Sequence, residues 1–183
     1  MPPEPWVTRD PSIETPFAAE LAPLVNDGFR NNMQKFYMTG RKPKAVAISP
    51  QGLAAIHMNQ ASRDEAIRRA LELCGSRAGA ACVVLGIDDA FVVPIPTTMK
   101  AVGLFRAAGN AAIVPEARDD VARRLAGAPH GWNAVAVGAG GRAGLTLRAA
   151  SEQDAVNGAL VDCGRQDRGC RVIAIGPFTV EPK

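Results

Sequence analysis

Aromatic side chains and histidine are scarce in this sequence: aromatics make up 5% of the chain and there are two histidines. Few stacking platforms for single-stranded nucleic acid follow from the first shortage. The second makes a histidine-based metal site or catalytic triad hard to assemble. Charge of one sign is also missing, since 21 Lys and Arg against 18 Asp and Glu leave a net +3. Such an interspersed balance has no nucleic-acid footprint. No apolar run approaches the roughly 18 residues that read as a membrane span, so a soluble protein without a membrane span is expected. The opening residues lack a basic start and an apolar stretch, so the chain as given carries no signal peptide. Its Pro2, Pro3 and Pro5 instead resemble the extended start of a processed mature protein.

What is present is a folded composition, 47% hydrophobic and 21% charged over 183 residues, about one to one and a half domains. The organising feature is internal repetition. Shifted by 89 positions, residues 45–75 align without a gap on 134–164, with roughly a third of the positions identical. Ala45, Val46 and Ala47 meet Ala134, Val135 and Ala136, and Gly52 and Ala54 meet Gly141 and Ala143. Ser62, Ala66, Ala70, Leu71, Cys74 and Gly75 meet Ser151, Ala155, Ala159, Leu160, Cys163 and Gly164.

Each copy predicts two short strands around a glycine-bearing turn, over residues 45–48 and 53–58 in the first and 134–137 and 142–148 in the second. Ser62 with Glu65 then forms a capping box, in which the hydroxyl accepts an orphan amide and the carboxylate reaches back to the cap; Ser151 with Asp154 is its weaker twin. The helix stripes Ala66, Ile67, Ala70, Leu71, Cys74 and Ala155, Val156, Ala159, Leu160, Cys163 are small enough to lie close to a sheet. Gly75 and Gly164 are read as left-handed helix stops. The branched runs 83–87 and 172–175 predict a central strand in each copy. A helix is expected ahead of each copy, over residues 23–38 and 115–126.

The fold class is therefore α+β, two tandem ββαβ repeats, each preceded by a helix and related by an approximate two-fold axis. Residues 1–40 read as a Pro-rich extension and helix, 41–96 as repeat 1, 97–131 as a connection with a helix, and 132–183 as repeat 2. One copy of about fifty residues has little core of its own, so the two are expected to share one.

All four cysteines lie in the repeats, Cys74 and Cys82 in the first, Cys163 and Cys170 in the second. An even count in duplicate favours disulfides. Local pairing closes loops of about nine residues, for roughly 2.5 kcal/mol each in the chain-entropy model; Cys74 to Cys163 would close about ninety for roughly 4.6 kcal/mol. Proximity favours the local pairs, but geometry decides. Zinc, which prefers cysteines two to four residues apart, and buried free thiols are the competing readings.

The strand Lys44-Ala45-Val46-Ala47-Ile48, the turn at Gly52, the helix from Ser62 through Glu65, Ala66, Ala70 and Leu71 to Cys74, and Cys82 at the last strand together resemble the DUF4189 family of exported bacterial domains. Residues 133–137, Gly141, 151–163 and Cys170 repeat the pattern, so the resemblance covers two blocks. It implies export and paired cysteines and brings no catalytic residue. Secretion of some relatives toward host cells implies interaction proteins as one outcome.

Other candidate motifs have plain alternatives. Gly138, Gly140 and Ala143 spell a G-x-G-x-x-A after a strand, but residues 145–147 continue as strand where a dinucleotide site needs a helix, so a hairpin turn is expected. His57 as general base, or Asp88 with Asp89 as a carboxylate pair, competes with a polar strand position and a solvated turn. His130 has no neighbour in sequence to orient it. Arg63, Arg68, Arg69 and Arg77 make a basic helix, read first as a solvated face with an Asp64–Arg68 pair and second as a binding patch.

No catalytic residue, cofactor or metal is assigned. The leading expectation is a non-enzymatic periplasmic or secreted protein that binds a protein or envelope component, with a homodimer among the assemblies this allows. Its alternative is a small-molecule or anion-binding protein using a groove between the repeats. The partner contact is placed on His57, Asn59 and Arg63, because this corner diverges between the copies, becoming Thr146, Arg148 and Glu152.

Overall fold

The computed structural model describes residues 9–128 and 131–183; His130 and the proline-rich opening lie outside the described residues. The chain divides into two compact units, Met1–Ile95 and Pro96–Lys183, in an α+β architecture with one antiparallel five-stranded sheet in each.

In the first unit, β1 (Thr15–Pro16) and α1 (Asp27–Asn32), which runs on as a π-helical stretch Met33–Tyr37, precede β2 (Ala45–Ile48) and β3 (Ala54–His57). Then come α2 (Arg63–Ala78), β4 (Val83–Ile87) and β5 (Ala90–Phe91), giving the sheet order β1-β5-β4-β2-β3. The second unit runs β6 (Lys100–Leu104), α3 (Pro115–Ala126), β7 (Trp132–Val137), β8 (Ala143–Ala149), α4 (Glu152–Gly164), β9 (Arg171–Ile175) and β10 (Phe178–Glu181), in the order β6-β10-β9-β7-β8. The branched runs become β4 and β9, each the middle strand of its sheet. Residues 97–131, read from sequence as a connection with a helix, supply the edge strand β6 as well as the expected helix, α3.

Each helix after the hairpin begins where its cap dictates. The Ser62 hydroxyl accepts from the amide of Glu65 at 3.1 Å, and Ser151 accepts from Asp154 at 3.1 Å. Only half of the first capping box forms, because the Glu65 carboxylate turns to Arg68 and Arg69. The helix ends differ from expectation. α2 continues through Gly75 and stops at Gly79, whose φ of 63° is the left-handed conformation that glycine adopts without a Cβ penalty. Gly164 is the last residue of α4 and is not left-handed. In α2 a glycine four residues further on, with room to turn, outcompetes Gly75.

The units do not share a sheet, and each holds its own apolar cluster. Ala45, Ala47, Ala55, Val84 and Ile87 pack under Ala66, Ile67, Ala70 and Cys74 of α2. On the other face of the first sheet lie Phe17, Tyr37 and Phe91, with ring centroids 4.4 to 4.8 Å apart. In the second unit Val135, Val137, Leu145 and Ile173 meet Ile113 and Val121 beside and on α3, while α4 packs on β7 and β8. A helix on each face, together with the added strands β5 and β10, supplies the core that a bare ββαβ unit lacks.

Disulfides join Cys74 to Cys82, with Cα atoms 6.2 Å apart, and Cys163 to Cys170, at 6.1 Å. All four thiols are thereby accounted for, which removes the zinc, free-thiol and cross-copy readings. Backbone irregularities also fall at matching places. Gly52 and Gly141, Asn59 and Arg148, and Asp88 and Gly176 all have φ between 51° and 82°. The pairing of β2 with β4 shifts register between Val46 and Ala47, and that of β7 with β9 shifts between Val135 and Ala136.

Candidate functional site

The corner between the hairpin and the following helix is where the two units differ most in chemistry. His57 ends the edge strand β3 opposite Ala45. It lies in an open groove of about 560 Å³ with Arg68, Arg69, Glu72, Leu73 and Ser76 of α2. Burial lowers the imidazole pKa, Arg69 and Arg77 lower it further, and Glu72 opposes them. The ring is therefore neutral at pH 7, with one nitrogen to donate and one to accept.

Asn59 follows in the left-handed region at φ 54°, and its amide donates to the Arg41 carbonyl at 2.8 Å. Asn tolerates this conformation better than most residues, so the backbone itself explains the choice. The side chain is exposed. Arg63 opens α2, where its Nε donates to Asp88 Oδ2 at 2.7 Å, although 58% of its side chain stays exposed. The groove thus takes His57 but neither Asn59 nor Arg63.

Further along α2, the arginines are paired within the helix rather than as expected. Arg68 bridges Glu65 at 2.8 Å and Glu72 at 2.7 Å instead of meeting Asp64, and Arg69 bonds the other oxygen of Glu65. Two-sided pairing holds Arg68 along the helix, while Arg69 and Glu72 line the groove with His57.

The same place in the second unit is closed. A Cβ on Gly144 would lie 2.0 Å from the Cys163 amide nitrogen, and one on Gly158 would lie 2.2 Å from Thr146 Oγ1. Only glycine permits α4 to seat so closely on β8. The corresponding residues in the first unit are Ala55 and Arg69, which carry side chains where the second unit has none.

No family model, curated protein or solved structure matches the chain. Function is therefore read from the residues themselves.

The acidic pair after β4 reads differently in structure than in sequence. Asp88 is buried, at 7% exposure, rather than part of a solvated turn. Its carboxylate accepts from the Lys44 amide at 3.1 Å and from Arg63, while Asp89 pairs with Lys42 and with Lys44 at 3.0 Å. These acids are thereby committed to cationic or amide partners. The glycine-rich turn after β7 is a hairpin, as expected, closed by the Gly138 amide on the Arg142 carbonyl at 3.0 Å. Asp167 from the disulfide loop accepts from the amides of Gly140 and Arg142, each at 3.1 Å, and of Arg168 at 2.7 Å. Those bonds hold its carboxyl below the usual range.

Sequence reasoning missed two buried charged residues. Lys44 is 1% exposed, with Nζ donating to the carbonyls of Tyr37 at 2.7 Å and Met38 at 3.2 Å and lying 4.9 Å from the Tyr37 ring centre. Glu152, the first residue of α4, accepts four donors, the amides and hydroxyls of Thr97 and Thr98, at 2.7 to 3.1 Å. A lysine beside an apolar strand and a glutamate at a helix start resemble ordinary surface residues in sequence. Their partners lie elsewhere in the chain, so no local pattern announces them.

Among the described residues, no group of His, Cys, Asp and Glu is arranged to hold a metal ion, and no helix is long and apolar enough to cross a membrane.

Proposed function

We propose that this is a periplasmic or secreted protein made of two copies of one ββαβ unit, and that it binds a macromolecular partner through the His57 corner of the first copy. The observation that carries the binding reading is the open groove between β3 and α2, set against the close Thr146–Gly158 contact at the corresponding place in the second unit. Duplication leaves a scaffold position matched and frees the surface to diverge. Here divergence has replaced a closed contact with exposed hydrogen-bonding and charged groups. His57 supplies a donor and an acceptor, Arg69 and Glu72 supply both signs of charge, and Asn59 and Arg63 extend the polar surface past the groove. This composition fits a polar surface of a protein or envelope component, recognised by hydrogen bonds and complementary charge.

Duplication is supported by the equal strand order, the paired left-handed positions, the matched register shifts and a disulfide at the same place in each unit. Export is supported by the bridges, which persist in oxidising compartments, and by the resemblance to the DUF4189 family.

The test is affinity capture from the source's envelope and secreted fractions by the oxidised protein, compared with the His57→Ala, Arg69→Glu and Arg63→Glu variants. Matching thermal unfolding should first establish that each variant is folded. Loss of one captured species with His57→Ala or Arg69→Glu supports the groove, and loss with Arg63→Glu alone moves the contact to the helix start. Unchanged capture by all three variants rejects the site.

A further inference from the structure

A second cleft lies within the second unit and shares no lining residue with the groove above. It has a volume of about 600 Å³ and is bounded by the β7–β8 turn, the chain entering α3 and the start of β9. Two of its lining residues are charged, and both are arginines, Arg118 and Arg171.

Neither guanidinium has an ion-pair partner among the described residues. Arg118 is half-buried and fixed by its Nε, which donates to the Ile113 carbonyl at 2.9 Å. That bond leaves its two terminal nitrogens for another acceptor. Arg171 is exposed, the first residue of β9, in register with Val137. The carboxylate of Asp167 packs against Gly138 and Gly140 but is engaged by three amides and does not itself line the cleft.

Gly138, Ala139 and Gly140 stand where the first unit has Ser49, Pro50 and Gln51, and the Asp167 side chain packs over the two glycines, where a Cβ on Gly138 would lie 2.3 Å from its Cγ. Arginines that line one cleft and have no ion-pair partner among the described residues form a receptor for an oxyanion, since a guanidinium fork matches carboxylate and phosphate geometry.

We infer that the cleft of the second unit binds a small organic oxyanion, a carboxylate or a phosphomonoester, through Arg118 and Arg171. This goes beyond the macromolecular contact proposed for the first unit and does not depend on it. The apolar lining at Ile113, Val114 and Val137 takes the body of the ligand while the guanidinium groups hold its charged end.

The experiment is an amide NMR titration of the full oxidised chain with succinate and, separately, with inorganic phosphate, against sodium chloride at matched ionic strength. Expected are saturable shifts at Gly138, Gly140, Gly141 and Gly169 with at least one probe, weakened by about ten-fold or more in Arg171→Gln. Saturation by succinate alone assigns a carboxylate ligand, and by phosphate alone a phosphate-bearing one. Shifts that follow ionic strength equally in all three salts overturn the inference. So does saturable binding that neither Arg171→Gln nor Arg118→Gln weakens. Arg171 is exposed and makes no side-chain bond among the described residues, so its variant reads binding even where Arg118→Gln disturbs the segment at Ile113.

Discussion

At the scale of single residues, the buried polar groups separate into satisfied and unsatisfied ones, and stability should follow that division. Tyr37 is wholly buried, and its hydroxyl has no hydrogen-bond partner among the described residues. Burial pushes its pKa far upward, with Asp88 and Asp89 adding to the shift, so the phenol stays protonated and neutral. Tyr37→Phe keeps the ring against Phe17 and under Lys44 while removing the unpaired oxygen. The variant should gain about 1 kcal/mol in urea unfolding. A loss of similar size would show that the hydroxyl has a bonded partner such as a buried water.

Glu152 is the opposite case. Burial alone would raise its pKa, but the hydrogen bonds from Thr98 and Thr97 outweigh it and leave the value below the ordinary 4.5. A lowered carboxylate pKa contributes stability that is fully present above the unfolded value and is lost as pH falls through the folded one. Glu152→Gln should therefore cost about 2 kcal/mol at pH 7, since bonds to a charged acceptor are replaced by poorer ones. The difference from wild type should shrink as pH drops below 4.5. A constant difference down to low pH would mean that the carboxylate charge plays no part.

At the scale of elements, the two helices after the hairpins are equivalent in sequence position yet pack at different closeness. Gly144 decides this in the second unit, because its missing Cβ lets the α4 backbone approach β8. Gly144→Ala should be strongly destabilising, by about 2 kcal/mol or more, since backbone atoms rather than a flexible side chain stand in the way. Ala55→Gly at the corresponding place in the first unit should cost only about 1 kcal/mol, from strand entropy and one lost methyl. Equal effects in thermal unfolding would contradict the difference in seating.

The same elements show what was legible in advance. Both hairpins, both helix starts and both central strands could be read from Ala45, Ser62 and Val83 and their counterparts, because strand pattern and serine caps are local signals. The true end of α2 was hidden by the choice between Gly75 and Gly79, which local propensity does not resolve. Strands β1 and β5 are two residues long, and β6 lies among prolines and glycines, so their strand character arises from pairing partners distant in sequence. For the candidate site, the divergence between copies pointed to His57. Its neighbours in the groove, and the Asp88 partner of Arg63, come from packing of separate elements and had no signal in sequence.

At the scale of the whole molecule, each compact unit carries one bridge, from its helix to the strand that becomes the centre of its sheet. Each bridge restricts the unfolded chain by roughly 2.5 kcal/mol on the chain-entropy model. Reduction should therefore lower the stability of both units, not of one alone. The proposal of export rests on these two local pairings, and that of duplication rests on them in part. Non-reducing peptide mapping of protein alkylated during isolation from its native compartment tests them most directly. The account predicts peptides linking Cys74 to Cys82 and Cys163 to Cys170, with no alkylated cysteine. Four alkylated thiols, or a peptide joining Cys74 to Cys163, would contradict it.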